Sequence, residues 1–248
     1  MAKVIRFFIL LLLFTIPLFG AKSPFALPLQ TVIIDAGHGG YDPGAARVVD
    51  GKLIVERELT LDLALRLQTL LEDEYPSLST VLTRSDNTYL SLEERGRIAY
   101  QTILRPATSA LFLSIHINSA EHSAAQGFEV LTKLKNKEVP LFDSTTPKEN
   151  IAFFAHHSKR ELNRLLNEQT ERVAIVMSQA LERRLVDQSN RGIKERDLWV
   201  LNAARMPALL VEVGFLSNDE EARKLLDEEY RQKIAIALFE GIKALLSI

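Results

Sequence analysis

Short apolar runs that are rich in β-branched residues alternate along this chain with longer segments of helical periodicity. The apolar runs predict strands at 32–34, 79–83, 110–119, 127–131, 198–201 and 207–213. The other segments carry apolar residues on one face and predict helices at 56–71, 92–104, 171–186, 219–226 and 228–246. Strands that alternate with helices favour a parallel sheet. We therefore expect an α/β fold: a single domain with a mostly parallel, twisted sheet flanked by helices.

The first residues of the chain predict a secretory signal peptide over 1–21. Two basic residues precede an apolar run at 7–19, and small residues follow it, which is the pattern of such a peptide. The run is shorter than the ~20 apolar residues that span a bilayer, and Pro17 interrupts it. We expect export to the periplasm with no stable membrane span after cleavage, and an uncleaved anchor is the alternative. Residues 22–29 then predict a tether, and 30–248 a single catalytic domain.

Composition narrows the kinds of site that the chain can build. It has no cysteine, so disulfides and thiolate metal sites are excluded, and a transition-metal site must use His, Asp or Glu. With only five histidines, each one is informative. The net charge of −2 gives no support for a nucleic-acid partner.

A single histidine, His38, lies in a glycine-rich turn directly after the first predicted strand. The strand ends at Asp35, and the surrounding glycines are Gly37, Gly39, Gly40 and Gly44. Glycine permits close backbone approach and positive φ, and ligands bind at the carboxyl ends of strands in α/β sheets. Neither phosphate-loop pattern is present, so a nucleotide site is disfavoured. The turn indicates an exposed histidine, either at a binding crevice or simply at the surface.

A second histidine, His116, ends the apolar strand at 110–119, and Glu56 begins the helix that follows the His38 turn. The carboxyl ends of parallel strands meet at one edge of a sheet, so we expect the two histidines at the same edge. Two imidazoles and one carboxylate with an open fourth position are the ligand set of a catalytic zinc site. The spacing alone contains no local metal motif, so a metal site and an ordinary helix-dipole role for Glu56 both stay open.

Glu212 lies inside the apolar strand at 207–213. An unpaired carboxylate in such a strand costs several kcal/mol or raises its pKa to stay neutral. Beside a metal-activated water, such a carboxylate has a use as a general base. Glu212 is therefore the candidate catalytic residue.

Four main motifs follow one another along the chain: DAGHGGYDPG at 35–44, ERELTL at 56–61, SIHINS at 114–119 and VEVGFLSN at 211–218. TRSD at 83–86 and RGIK at 191–194 are secondary motifs. Together they resemble one family, the zinc-dependent N-acetylmuramoyl-L-alanine amidases of the daughter-cell-separation type, and they occur in the order of that family from residue 31 almost to the C-terminus.

The resemblance implies an activity and a set of roles. It implies that His38, Glu56 and His116 bind Zn²⁺ and that Glu212 is the catalytic glutamate. Enzymes of this family cut the amide between N-acetylmuramic acid and L-alanine, so peptidoglycan is the implied substrate. A protein activator from the division machinery is a further implied partner.

The segment at 133–164 is longer than in the simplest members of the family and precedes the helix at about 166–187. In division-associated members, an insertion here holds a helix that covers the active site. We therefore consider an autoinhibitory segment, in which Glu138, Asp143 or Glu149 reaches the metal. A solvated surface excursion is the alternative.

Other residues have plainer interpretations. We expect His122, His156 and His157 at the surface, and Arg84, Asp86 and Arg95 as a structural ion-pair group. Two other functions stay open: a zinc peptidase that acts within the stem peptide, or an inert peptidoglycan-binding regulator.

Overall fold

The computed structural model describes residues 23–152 and 154–247, so the predicted signal peptide at 1–21 lies outside the described residues. Within them, a 3-10 turn at Pro24–Ala26 precedes the first strand. The strands are β1 (Leu29–Ala36), β2 (Ala46–Val49), β3 (Lys52–Val55), β4 (Ser79–Leu82), β5 (Ser109–Asn118), β6 (Phe128–Thr132), β7 (Asn190–Glu195) and β8 (Ala208–Phe215). The helices are α1 (Glu56–Glu74), α2 (Leu92–Gln101), α3 (Lys148–Ile151), α4 (Lys159–Arg184), α5 (Trp199–Ala203), α6 (Asp219–Leu226) and α7 (Glu228–Leu246).

A six-stranded sheet in the order β4-β1-β5-β8-β6-β7 forms the centre of the fold. Strands β4, β1, β5 and β8 are mutually parallel, whereas β6 runs antiparallel to β8 and parallel to β7. The expected α/β fold with a mostly parallel sheet is therefore confirmed. The sheet nevertheless changes direction at β6, and a separate hairpin of β2 and β3 follows the first strand.

Alternate residues of the sheet strands enter two different cores because successive side chains point to opposite faces. One face packs on α1, α4 and α7 through residues such as Ile34, Leu113 and Val211. The other face carries Ile33, Phe112 and Leu210 and packs on the shorter helices α2 and α5. Further along the same face, towards the carboxyl ends of the parallel strands, its residues become polar, and these are Asp35, Ser114, His116 and Glu212. The strand pleat thus aligns the candidate site residues on the less covered face.

The prediction of a strand at 198–201 is wrong, because residues 199–201 form most of the helix α5. Val200 and Leu201 are both buried against the second face of the sheet, and Asn202 donates a hydrogen bond back to Asp197. Strand alternation cannot bury adjacent residues on the same side, whereas one helical turn can. In so short an apolar run, periodicity cannot distinguish a strand from a helix.

Helix α4 begins twelve residues before the helix that periodicity predicts at 171–186. Ser158 caps its start by accepting a hydrogen bond from the backbone N–H of Glu161. Leu162 and Leu166 then pack with Phe25 in a small separate core. The polar extra turns are helical because a tertiary contact stabilises them.

The segment at 133–164 lies against the amino ends of the parallel strands. Asn150 donates to the carbonyl of Thr102 and accepts from the N–H of Leu104, both beyond the C-terminal end of α2. Asp143 pairs with Arg205, which lies shortly before β8 begins, at 2.7 Å. The segment therefore occupies the opposite edge of the sheet from the His38 turn.

That placement contradicts the expectation that an acidic residue of this segment reaches the metal. Asp143 is engaged by Arg205, and Glu138 lies 3.9 Å from the ammonium of Lys159. Glu149 lies in α3 beside Asn150. The surface-excursion alternative describes the segment better, although part of it packs on the protein rather than extending into solvent.

The remaining histidines mostly follow expectation. His122 and His156 are exposed, but the ring of His157 is only 4% exposed and lies 3.4 Å from Glu161, so its expected surface position is wrong. Among the described residues, the structure contains no helix with the length and apolarity needed to cross a membrane.

Candidate metal centre

The His38 turn is held from below by two arginines that donate to its backbone carbonyls. Arg84 donates to the carbonyls of Ala36 and Gly37, at 3.0 and 2.7 Å. Arg95 donates to the carbonyls of Ala36 and His38, at 2.7 and 2.5 Å. His38 itself has φ of +60°, which a non-glycine residue adopts only when its surroundings hold it there. These contacts fix the direction of the imidazole.

A buried ion pair supports this arrangement. Asp35 contacts Arg95 at 2.7 Å and also accepts hydrogen bonds from the hydroxyls of Thr83 and Ser114 at 2.6 Å. Burial alone would raise the pKa of Asp35, but the charge of Arg95 and the hydroxyl donors hold that pKa below its usual value. Arg84 bonds backbone carbonyls rather than a carboxylate, and Asp86 accepts from the N–H of Thr88. Arg84 and Arg95 thus support the turn, but the predicted ion-pair group is wrong: neither arginine pairs with Asp86 among the described residues, and Arg95 pairs with Asp35 instead.

Three side chains converge beside this turn. Oε1 of Glu56 lies 3.0 Å from Nε2 of His38 and 3.1 Å from Nδ1 of His116. One ligand atom from each residue lies within 4.8 Å of the other two. The two histidines come from the carboxyl ends of adjacent parallel strands, and the glutamate from the first turn of α1. The structure therefore brings together the three residues that the sequence singled out as metal ligands.

Hydrogen bonds from the surrounding chain orient these ligands. Oδ2 of Asp42 lies 2.9 Å from Nδ1 of His38 and so directs Nε2 towards Glu56. Glu56 accepts from the backbone N–H of Ala45 at 2.8 Å and from that of Ile117 at 3.0 Å. Such outer contacts set the tautomer and direction of metal ligands. The geometry is thus fixed before any ion binds.

Two glycines make room for the ligands. A Cβ on Gly37 would lie 2.4 Å from the ring of His116. A Cβ on Gly44 would lie 2.5 Å from Oε2 of Glu56 and 2.6 Å from the ring of His38, and Gly44 also has φ of +64°. The family-like glycine pattern therefore has a steric reason at these two positions.

The charges of the three ligands stabilise one another. Burial would raise the pKa of Glu56, but hydrogen bonds and charge from His116 and His38 bring that pKa far below its usual value. Burial would likewise lower the pKa of His38, but Glu56 and Asp42 raise it. These surroundings thus favour the ionised form of Glu56, which is the form that binds a metal. A divalent cation can take the place of the proton on His38, because metal binding and protonation compete for the same nitrogen.

The donor set fits a catalytic zinc site. Two imidazole nitrogens and one carboxylate oxygen leave a further coordination position, as such sites require. The side chains of His38 and His116 are 23% and 20% exposed, so the centre is open to a substrate. The same donors bind several first-row metals, because geometry and availability decide selectivity more than ligand type does.

Glu212 lies one strand from His116, its register partner in the parallel β5–β8 pair. Its Oε2 atom is buried and has no hydrogen-bond partner among the described residues. Burial raises the pKa of Glu212 to about 7, with opposing contributions from His116 and from the neighbouring carboxylates. A carboxylate with a buried oxygen that has no partner among the described residues, and with a pKa near neutrality, is suited to accept and release a proton.

A further carboxylate on this face, Glu129 of β6, is buried and was not among the predicted site residues. It is 6% exposed and is the register partner of Glu212 in the antiparallel β6–β8 pair. It pairs with Lys194 and Arg191, the latter at 3.2 Å, and accepts from Asn118 at 3.1 Å. The sequence does contain a signal for Glu129: it is a lone glutamate inside an apolar strand, which is the same pattern that singles out Glu212.

Comparison with known proteins shows which family the chain is similar to. A family model described as N-acetylmuramoyl-L-alanine amidase matches residues 32–244. The Bacillus subtilis N-acetylmuramoyl-L-alanine amidase LytC is 32% identical over 86% of this chain, which corresponds to 34% of LytC.

Solved structures of amidases are also similar to this chain. The catalytic domain of the N-acetylmuramoyl-L-alanine amidase CwlV from Bacillus (Paenibacillus) polymyxa superposes with a TM-score of 0.67 and 30% identity, covering 88% of this chain and 99% of that one. The Clostridioides difficile CwlD amidase, solved with the GerS lipoprotein, gives a TM-score of 0.67 and 29% identity over 88% of this chain and 98% of its own.

Proposed function

The chain belongs to the N-acetylmuramoyl-L-alanine amidase family, and we propose that it hydrolyses the amide between N-acetylmuramic acid and L-alanine in peptidoglycan. One observation carries the proposal: His38, Glu56 and His116 converge, and Glu212 on the next strand has a carboxylate oxygen with no partner in the described part of the chain. A purely structural binding protein has no use for two carboxylates and two imidazoles held together and largely withdrawn from water, since that arrangement costs free energy.

We propose Zn²⁺ as the ion held by His38, Glu56 and His116. When bound, zinc would lower the pKa of a water towards about 7 and polarise the scissile carbonyl. The protein contributes the orientation of the ligands, through Asp42 and the backbone donors to Glu56.

Glu212 is the proposed general base and acid. Its carboxylate accepts a proton from the attacking water while the water oxygen bonds to the amide carbon. The same proton then passes to the alanine nitrogen as the carbon–nitrogen bond breaks, which releases the stem peptide as an amine and the lactyl group as an acid. A raised pKa of about 7 suits both transfers, because neither protonation state is strongly preferred at neutral pH.

The sequence of residues 1–21 supports export, so we propose that the enzyme acts in the periplasm, where peptidoglycan lies. An activator from the division machinery stays a prediction from the family resemblance. Asp143 and Glu138 of the 133–164 segment pair with cations away from the metal ligands. An activator would therefore not act by removing either of these carboxylates from the metal.

Digestion of defined muropeptides tests the proposal. We expect the zinc-loaded protein to release intact stem peptides that begin with L-alanine, as identified by mass spectrometry, and a chelator to stop the release. His38→Ala should abolish release and lower the bound zinc, while His122→Ala, a change at an exposed histidine, should alter neither. Fragments cut within the stem peptide would instead identify a peptidase, and release by metal-free His38→Ala would refute the zinc assignment.

A further inference from the structure

Lys194 and Arg191 form a pair of cations on β7, at the edge of the sheet, on the side of the metal centre beyond Glu212. Both contact the same oxygen of Glu129. Their side chains stay 30% and 35% exposed, so each keeps access to solvent. The cluster thus consists of two cations, the buried carboxylate of Glu129 and the neutral amide of Asn118. One positive charge is therefore left for an anion from outside.

Strand register places this cluster at a defined distance from the reacting bond. His116 pairs with Glu212, and Glu212 pairs with Glu129. Neighbouring strands are about 4.8 Å apart, so the position of Glu129 is about 10 Å from that of His116 across the sheet. All three side chains lie on the same face. An anion bound to Lys194 beside Glu129 would thus lie a few bonds from a substrate amide at the metal.

The opposite side of the metal centre has different chemistry. Tyr41, three residues after His38, stacks on Tyr89 with ring centroids 4.1 Å apart. Tyr41 is 78% exposed and presents an aromatic face beside the His38 turn. Such a face suits the apolar face of a sugar ring better than it suits a carboxylate. The two ends of the site therefore match the two halves of a glycopeptide.

We propose that Lys194 and Arg191 bind the free carboxylate of the second stem-peptide residue, so that the peptide extends from the metal centre towards β7. The inference rests on the proposed amidase function and adds to it the direction and charge preference of the substrate. In a stem peptide whose second residue is isoglutamate, the α-carboxylate of that residue lies one residue beyond the scissile amide. Consecutive Cα atoms are 3.8 Å apart, so that carboxylate is within reach of the two flexible cations. Charge-assisted hydrogen bonds are strong and directional at such a site.

Two small substrates that differ in one group test the idea. They are N-acetylmuramoyl-L-alanyl-D-isoglutamate, which has the α-carboxylate, and the corresponding isoglutamine, in which an amide replaces it; the γ-carboxyl of both is capped as a methylamide, so the peptide carries no other free carboxylate. We expect kcat/KM of the zinc-loaded wild-type protein to be about tenfold or more higher for the acid. The ratio of the two values is the measurement, because general damage to catalysis affects both substrates alike.

Variants of the cation pair complete the experiment. Lys194→Met and Arg191→Gln should each lower the acid-to-amide ratio severalfold, mainly through the acid, while Lys194→Arg should keep it near the wild-type value. Lys243→Met is the matched control, because Lys243 pairs with Glu74 between α7 and α1 on the other face of the sheet. It should leave the ratio unchanged.

Two results would overturn the inference. An acid-to-amide ratio near one in the wild-type protein, with both substrates cut at the lactyl amide, would refute carboxylate recognition and leave the amidase function standing. A full preference that survives in both Lys194→Met and Arg191→Gln would place the recognition elsewhere. Failure of the wild-type protein to cut either substrate at that bond would instead refute the proposed function and the inference with it.

Discussion

Glu212 faces Glu129 across the antiparallel β8–β6 pair, and the two carboxylates are treated in opposite ways by their neighbours. Glu129 accepts from two cations and an amide, whereas Oε2 of Glu212 has no partner among the described residues. Burial would raise the pKa of Glu129, but Lys194 and Arg191 lower it, while the pKa of Glu212 rises to about 7. Carboxylates with diverging pKa values on one face mark separate roles in a reaction.

Glu212→Gln should lower kcat by about 10²–10⁴-fold, because the amide cannot accept the proton of the attacking water. Zinc content should stay near the wild-type value, because Glu212 is not one of the three converging ligands. Metal analysis and muropeptide digestion together measure both. Glu220→Gln, a change at an exposed carboxylate, is the control. Activity within a few-fold of wild type in Glu212→Gln would rule out the proposed base.

The same residue predicts a pH dependence of the metal-free protein. The pKa of Glu212 is about 7 in the folded protein, whereas an ordinary glutamate, as in the unfolded chain, has a pKa of 4.5. As the pH rises, the unfolded chain therefore loses this proton first. Stability that Glu212 contributes below pH 4.5 is therefore lost between pH 4.5 and about 7. The integrated loss is about 3 kcal/mol at one pKa unit per 1.36 kcal/mol.

Urea unfolding of metal-free protein at pH 4.5 and pH 8 measures this loss. Glu212→Gln should remove that part of the pH dependence and be more stable than wild type at pH 8. Parallel pH profiles for the two proteins would show that Glu212 keeps an ordinary pKa in the folded state.

Gly44→Ala should weaken zinc binding at least tenfold and lower activity in proportion. Its added Cβ would lie 2.5 Å from a Glu56 oxygen and 2.6 Å from the His38 ring. Gly51→Ala is a control for backbone strain, because Gly51 also has positive φ, +78°, but has nothing within 4 Å of the added Cβ. Competition with a chelating dye gives both affinities. Equal zinc affinities for the two variants would show that steric contact at Gly44 is unimportant.

Arg95→Met should destabilise the metal-free protein by about 3–5 kcal/mol, because it leaves the buried Asp35 carboxylate without its charge partner. Asp35 has a lowered folded-state pKa, so its contribution in wild type is present above the unfolded pKa and is lost as pH falls through the folded one. Arg97→Met, at an exposed arginine of the same helix, should change stability little. Urea unfolding near pH 7 compares them. A loss below 1 kcal/mol for Arg95→Met would mean that the hydroxyl donors alone satisfy Asp35.

Asp143→Ala and Glu149→Ala should leave the turnover of muropeptides within about twofold of wild type. Asp143 pairs with Arg205 at the edge of the sheet opposite the metal ligands, and its side chain is 40% exposed. Steady-state assays of the zinc-loaded variants make the comparison. A tenfold increase for either variant would restore the autoinhibition hypothesis that the observed placement disfavours.

Much of the fold follows from local pattern. The helices at 219–226 and 228–246 have the predicted boundaries, and the strands at 79–83 and 110–119 agree within one residue, because apolar periodicity there coincides with burial. The parallel-sheet rule also placed His38 and His116 at one edge, and the cost of a buried carboxylate singled out Glu212. Each of these inferences needs only the residues of one element and a general property of sheets.

Other features depended on contacts between residues far apart in the chain. The helix at 199–203 forms where a strand was predicted because its apolar residues pack on a sheet face that the sequence does not reveal. The salt bridge of Glu129 with Lys194 joins residues 65 positions apart and depends on the reversal of chain direction at β6. The sequence by itself thus determined five of the eight strands in the described part of the chain, most of the longer helices and the residues of the candidate metal site. Only the tertiary structure decided the partners of Glu129 and the position of the 133–164 segment, because pairing and packing energies depend on which distant surfaces meet.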